Sequence, residues 1–137
     1  MVWDQDAPQS GFSTSKPWLP VSPTHRPLAA KAQQADQNST LQFYTRYLHW
    51  RKTQPTLIHG AQRMLEAHPQ VLAFEREHEG QRLLCAFNFS DRPAELTMPG
   101  GLQSTTEFTD NGLGAAIHVS TELLKLAPFG ASIVQID

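Results

Sequence analysis

Val71-Leu72-Ala73-Phe74-Glu75-Arg76-Glu77 is followed, across Glu79-Gly80, by Arg82-Leu83-Leu84-Cys85-Ala86-Phe87-Asn88-Phe89. The first run alternates toward its end and reads as a strand. The second is almost continuously apolar and short, with turn residues at both ends, and reads as the strand that pairs with it. Glu79-Gly80 supplies the turn. Two adjacent strands joined this tightly set the fold class of everything downstream.

Working outward toward the C-terminus, Ser90-Asp91-Arg92-Pro93 is a loop and Ala94 to Met98 alternates. Pro99-Gly100-Gly101 turns, Gln103 to Phe108 is a weaker strand, and Asp110-Asn111-Gly112 turns again. Ile117 to Val119 and Leu123 to Leu126 are short strands. Pro128-Phe129-Gly130 then turns into Ala131 to Ile136. With a short strand around Arg63-Met64-Leu65, the spacing predicts about seven or eight strands in an antiparallel β-sandwich. The chain ends on the last of them, as a natural C-terminus would.

Upstream the period changes. From Asn38 to Gly60, Leu41, Phe43, Tyr44, Tyr47, Leu48 and Trp50 cover about half of a helix circumference at about 100° per residue. Gln42, Thr45, Arg46, His49 and Lys52 take the other half. Ser39 and Gln42 have the spacing of a capping box, in which each side chain meets the other's backbone N–H. Pro55 stops the helix and Gly60 lies just beyond. An apolar half-circumference needs cover on more than one side.

Residues 1 to about 37 are polar, and Pro8, Pro17, Pro20, Pro23 and Pro27 break every helix that could form there. Trp3, Phe12 and Trp18 argue against disorder, because irregular backbone carrying large aromatics is usually an ordered loop laid over a larger body. No such body is visible elsewhere in the sequence. The fold class is therefore mainly β: a C-terminal antiparallel sandwich preceded by one long α-helix and an irregular Pro-rich loop.

At 137 residues, 39% of them hydrophobic, the chain can bury one core. A formal net charge of −2, with no basic run, gives no footprint for nucleic acid. The longest apolar runs fall far short of a bilayer span, and the N-terminus has neither the basic start nor the apolar core of a signal peptide. Cys85 is the single cysteine, so a disulfide framework is excluded and a reducing compartment is allowed. A cytoplasmic location is the expectation. Asn38-Ser39-Thr40 and Asn88-Phe89-Ser90 match the glycosylation triplet, but one is a helix cap and the other lies in or beside a strand, so neither is read as a site.

Met1-x-Trp3-Asp4, Gly11-Phe12-Ser13 and Pro17-Trp18-Leu19-Pro20-Val21, in that order, resemble the late part of the catalytic domain in glycoside hydrolase family 13. The branch they are most similar to holds the α-glucosidases, oligo-1,6-glucosidases and trehalose synthases. Asn38-Ser39-x-Leu41, Phe43-Tyr44, Leu48, Arg51-Lys52, Pro55, Leu57 and Gly60 resemble the last barrel helix and its exit. Val71-Leu72-Ala73-Phe74-x-Arg76 and Leu84-x-x-x-Asn88-Phe89-Ser90 resemble the first strands of the C-terminal domain; beyond Ser90 only the pattern matches.

The resemblance implies that residues 1–60 are the terminal loop and last helix of an otherwise absent (β/α)₈ barrel, and 61–137 the C-terminal sandwich. Such a barrel needs about 250 residues. The family is retaining and works with an aspartate nucleophile, a glutamate acid/base and a second, sugar-binding aspartate. All three lie upstream of the Met1-x-Trp3-Asp4 motif. The chain is therefore expected to be a non-catalytic fragment, inactive alone, of an enzyme acting on α-glucosides or malto-oligosaccharides. No catalytic, cofactor-binding or metal-ligating residue is assigned.

Three residues are weak substrate-side candidates. Trp3 and Trp18 have faces suited to sugar rings, though packing is the commoner use of a large aromatic. Asp4, with Asp6, lies by resemblance near the rim of the active-site cleft, but calcium usually wants six or more oxygens and no second ligand set is present. Loop tethering or solvation is the commoner role of such a pair. His25, His49, His59, His68, His78 and His118 show no metal-ligand spacing. Cys85 reads as a buried apolar residue without an activating base. A free-standing carbohydrate-binding module is the alternative reading. Against it, the tryptophans precede the sandwich and its phenylalanines stand at core-like positions. With the barrel absent, the helix face and loop aromatics are expected to drive homodimerisation.

Overall fold

The computed structural model describes residues 1–67, 69–98, 104–108, 113, 118–120 and 122–137. The chain divides into two units, Met1–Arg46 and Tyr47–Asp137. The first contains two 3₁₀ turns, Pro8–Gly11 and Pro23–Leu28, and the short helix α1, Ala30–Ala35. The long helix α2, Thr40–Lys52, begins in the first unit and ends in the second. A short helix α3, Pro55–His59, follows, and then eight strands among the described residues: β1 Ala61–Met64, β2 Val71–His78, β3 Gln81–Asn88, β4 Ala94–Thr97, β5 Ser104–Glu107, β6 His118–Val119, β7 Leu123–Leu126 and β8 Ala131–Ile136.

The strands form two sheets, β1-β2-β3-β8-β5 and β4-β7-β6, with every pairing antiparallel. This is the antiparallel sandwich the strand spacing predicts. Val71, Ala73, Leu84, Ala86, Val134 and Ile136 of the larger sheet pack with Ala94, Leu96, Met98, Leu124 and Leu126 to make the core between the sheets. Leu83, Cys85 and Ile133 point from the opposite face of β3 and β8 into a second cluster with Leu57 of α3, and Tyr47, Trp50 and Phe74 pack against it. β3 is apolar almost throughout because both of its faces are covered. At about 25 cal/mol per Å² of apolar surface removed from water, these two layers are the main source of the unit's stability.

Glu79 and Gly80 both have positive φ, 49° and 83°, which matches the right-handed twist of the strands they join. Glycine takes this conformation freely; glutamate does not. Nothing lies within 4 Å of a Cβ added at Gly80, so the strain at this turn is conformational rather than steric. Glu79→Asn is expected to stabilise the second unit by about 0.5–1 kcal/mol, since asparagine tolerates the left-handed region better. A rise in the urea midpoint at unchanged m-value checks this.

Several local expectations are corrected. Pro55 does end the long helix, but it also opens α3 as its first residue, where its missing N–H costs nothing. The prolines of the first unit do not exclude helix: Ala30-Lys31-Ala32-Gln33-Gln34-Ala35 follows the last of them and is made of strong helix formers. The capping box is half formed. Ser39 Oγ accepts the Gln42 N–H at 3.2 Å, but the Ser39 N–H goes to the Asp36 carbonyl and the Gln42 amide donates to the Gln34 carbonyl. The aromatic half of α2 is only partly covered. Trp50 meets Phe108 edge-on at 5.7 Å, while Tyr44 and Leu48 are exposed. The turns expected at Pro99-Gly100-Gly101 and Asp110-Asn111-Gly112, and the strand ends at Gln103 and Ile117, lie outside the described residues. Among the described residues no helix is long and apolar enough to cross a membrane.

Candidate functional site

The first unit holds the three candidate residues. Met1 to Asp4 is an extended segment pinned from two directions. The N–H groups of Trp3 and Asp4 donate to the Ser10 carbonyl at 3.0 and 3.2 Å, and Ala30 and Lys31 of α1 donate to the carbonyls of Val2 and Trp3. Gln9, Ser10 and Gly11 all have positive φ, 52°, 55° and 73°. A run of three left-handed residues curls the backbone so that the Ser10 carbonyl faces Trp3 and Asp4, and Gly11 is the residue type suited to its end.

Asp4 sits at the junction. Its Oδ2 accepts from Lys31 Nζ at 2.8 Å and its Oδ1 from the Asp6 N–H at 3.0 Å. The Lys31 hydrogen bond, helped by the Asp6 N–H, holds the Asp4 carboxyl below the usual range, and Asp4 in turn raises Lys31. Oδ2 thus tethers α1 to the segment, and Oδ1 closes a local turn onto Asp6. Trp3 is 52% exposed and Trp18 91% exposed. Trp18 lines a cleft of about 460 Å³ with Lys16, Pro20 and Arg26, in which Trp3 and Asp4 take no part. The three candidates are not brought into one site. Among the described residues no group of three His, Cys, Asp or Glu could hold a metal ion.

The second unit contains two buried polar centres to which the sequence assigns no role, although one of them, Asn88, lies in the Asn88-Phe89-Ser90 stretch. Glu75 continues the inward-facing series Val71, Ala73, Glu75, and its side chain is 4% exposed. Arg82 Nε donates to Oε1 at 2.6 Å and Arg63 Nη2 donates to Oε2. Arg82 foremost, with Arg63, keeps the carboxyl below its ordinary value although burial opposes this. An acid at an inward position of an alternating strand was the available sequence signal. Because the folded state binds this proton less readily than the unfolded chain, its stabilisation is fully present above the ordinary value of 4.5 and is lost as pH falls through the lowered one. Glu75→Gln is expected to cost about 1–2 kcal/mol at neutral pH and to flatten the acid limb of stability below about pH 4.5. Urea unfolding across that range measures both.

Asn88, the second centre, is 3% exposed at the end of β3. Its Nδ2 donates to the carbonyls of Arg92 and Ala127, and its Oδ1 accepts from the N–H and Oγ of Ser90. An asparagine so occupied offers no nitrogen for glycosylation. Cys85 is 1% exposed, and burial pushes its thiol up to about 12, against the pull of Arg76. It is not a nucleophile in this state. The phenylalanines of the sandwich are not all core residues. Phe74 and Phe87 stack at 5.9 Å over the second cluster, but Phe89 and Phe129 are 68% and 71% exposed.

The maltogenic amylase C-terminal domain matches residues 62–133, and the α-amylase catalytic domain matches residues 1–60. The chain belongs to the family of maltogenic amylase C-terminal domains, within glycoside hydrolase family 13. It is 35% identical over 131 residues to "Probable alpha-glucosidase" of Rhizobium meliloti, covering 96% of this chain and 23% of that protein. It is 33% identical over 142 residues to the oligo-1,6-glucosidase of Halalkalibacterium halodurans, covering 97% of this chain and 24% of that one. Among solved structures it is similar to the α-glucosyl transfer enzyme XgtA, with a TM-score of 0.86, 36% identity and coverage of 98% of this chain and 24% of the other. It is also similar to the trehalulose synthase MutB of Pseudomonas mesoacidophila, with a TM-score of 0.82, 28% identity and coverage of 99% and 24%. The chain thus spans about a quarter of the length of the relatives it matches.

Proposed function

We propose that the chain is the C-terminal, non-catalytic segment of a cytoplasmic glycosidase or transglucosidase acting on α-glucosides or malto-oligosaccharides. In this reading residues 1–60 are the last loop and helix of a (β/α)₈ barrel, and 61–137 are the sandwich that stabilises it. The observation that carries the reading is the match along nearly the whole chain to proteins about four times as long, with residues 62–133 matching a C-terminal domain. The engagement of the carboxylates fits it. Asp4 is occupied by Lys31 and the Asp6 backbone, and Glu75 by two arginines, so neither is poised as the nucleophile or acid/base of a two-carboxylate mechanism. The test is an assay of the isolated chain on maltose and an aryl α-glucoside. No turnover above background is expected; turnover would overturn the reading. Exposed Trp3, Trp18 and Tyr44 in the first unit and Leu48 in the second are the apolar side chains through which isolated chains would self-associate. Sedimentation should show dimers, and a clean monomer would count against that part of the proposal.

Exposed Phe89 and Phe129 give a second reading some support. The Phe129 N–H donates to the Ser90 carbonyl at 2.9 Å, so the two aromatics flank one loop, and such rings can stack on a glucan. Calorimetric titration with maltodextrins separates the readings. Heat that disappears in Phe89→Ala and Phe129→Ala would favour a carbohydrate-binding module.

A further inference from the structure

Two histidines from different elements meet where α3 joins the larger sheet. Val71 and Ala73 face the core between the sheets, so Phe74, Arg76 and His78 alternate onto the opposite face of β2, where Phe74 packs against the cluster that holds Leu57 of α3. His59 is the last residue of α3. The imidazoles of His59 and His78 lie with their centroids 5.8 Å apart and their planes inclined at 46°. Backbone on both sides fixes this meeting. The Gly60 N–H bonds the Thr56 carbonyl at 3.1 Å, and a Cβ at Gly60 would stand only 2.9 Å from the Glu77 carbonyl oxygen. Thr56 Oγ1 donates to Gln81 Oε1, and Gln81 is the register partner of His78. The neighbours of each histidine are thus held against each other, while His59 is exposed and His78 half-buried. Among the described residues neither ring has a hydrogen-bond or ion-pair partner.

A neutral imidazole offers one lone pair in the plane of its ring, and two such rings side by side are a chelate for a late first-row divalent ion. With a nitrogen–metal distance of ~2.0–2.1 Å, the ion lies ~3.2 Å from each ring centroid. Ligands on opposite sides of the ion then put the centroids ~6.4 Å apart, and tetrahedral ligands ~5.2 Å apart. The observed 5.8 Å falls between the two. Rotation about χ2, which is soft for histidine, brings a nitrogen of each ring to the ion without moving backbone. We propose that His59 and His78 together bind one divalent late transition-metal ion, copper(II) fitting best, with water in the remaining positions. The ion ties the end of α3 to the end of β2. No third protein ligand joins the pair among the described residues, so the ion is exchangeable rather than a closed structural centre. Two nitrogens without a carboxylate do not suit magnesium or calcium. The inference concerns the second unit alone and stands apart from the enzyme's substrate.

The test is titration of the whole chain with copper(II) chloride, followed by electron paramagnetic resonance. Binding should saturate near one equivalent, with superhyperfine splitting from two nitrogens. His59→Gln and His78→Gln should each weaken binding about a hundredfold, because the second ligand no longer acts intramolecularly, and should reduce the splitting to that of one nitrogen. His25→Gln and His49→Gln, outside the pair, should change neither the affinity nor the spectrum, and excess magnesium should not displace the copper. If His78→Gln does not fold, His59→Gln, at an exposed position, decides alone. Copper binding that never saturates would overturn the proposal, as would an affinity or a two-nitrogen spectrum that either variant of the pair leaves unchanged.

Discussion

Replacing Asn88 by alanine is expected to destabilise the sandwich by about 3 kcal/mol, a large part of the roughly 5–15 kcal/mol that keeps a domain folded. The side chain closes four hydrogen bonds at a point where three pieces of chain meet: the end of β3, the Ser90–Arg92 loop, and the Ala127 carbonyl before the β7–β8 turn. Removing it leaves the Ser90 N–H without its side-chain partner in a place water reaches poorly, and leaves the Ala127 carbonyl with the Gly130 N–H alone. Each such loss costs about 1–3 kcal/mol. The Arg92 carbonyl keeps one donor, Ser90 Oγ at 2.9 Å, which is why the total is not larger. Asn88→Asp should be nearly as harmful, because it retains the acceptor for Ser90 but turns the donor facing two carbonyls into an acceptor. Chemical denaturation of the two variants, with hydrogen exchange at Ser90, distinguishes loss of the knot from a general loosening.

The same asparagine shows where the sequence stops being informative. Strands β2 and β3 are legible because burial is periodic: Val71, Ala73 and Glu75 fall on one face, and an apolar run bounded by turn residues leaves little but a strand. Which strand lies beside β3 is another matter. β8 inserts between β3 and β5, and only the register Leu84↔Val134 and Cys85↔Ile133 shows that both faces of β3 are needed. Pairing across 50 residues leaves no local trace. Asn88 falls in the predicted strand, but its part in joining distant pieces of chain is hidden there, because that rests on one bond, to the Ala127 carbonyl 39 residues away. Phe129 fails for a related reason. Its residue type says core, but the turn that delivers its N–H to Ser90 holds it at a φ of 51° with the ring in solvent. α3 was hidden by the two meanings of proline, which ends one helix and begins the next. In the first unit, motif and site come apart. Trp3, Asp4 and Trp18 mark the family, yet in this chain Asp4 is tied to Lys31 and both tryptophans are left exposed.

Gly60→Ala is expected to cost about 2–4 kcal/mol, an effect out of proportion to one methyl group. The φ at Gly60 is −61°, an ordinary value for any residue, so the glycine is not required by backbone conformation. It is required by space. A Cβ there would overlap the Thr56 carbonyl oxygen and stand 2.9 Å from the Glu77 carbonyl oxygen, and both neighbours are backbone. The Gly60 N–H also caps α3 on that same Thr56 carbonyl at 3.1 Å. Relief would mean moving α3 off the end of β2, which draws Leu57 out of its cluster and pulls Thr56, fully buried and bonded to Gln81, with it. Larger residues should do worse in order of size, and no compensating side-chain deletion should rescue them, because no side chain is in the way. Conversely, Gly80→Ala, at φ 83° with nothing within 4 Å, should cost only the left-handed penalty of about 1 kcal/mol. Measured side by side by urea unfolding, the two glycines separate a steric requirement from a conformational one. Equal losses at both positions would show that α3 can shift freely against β2.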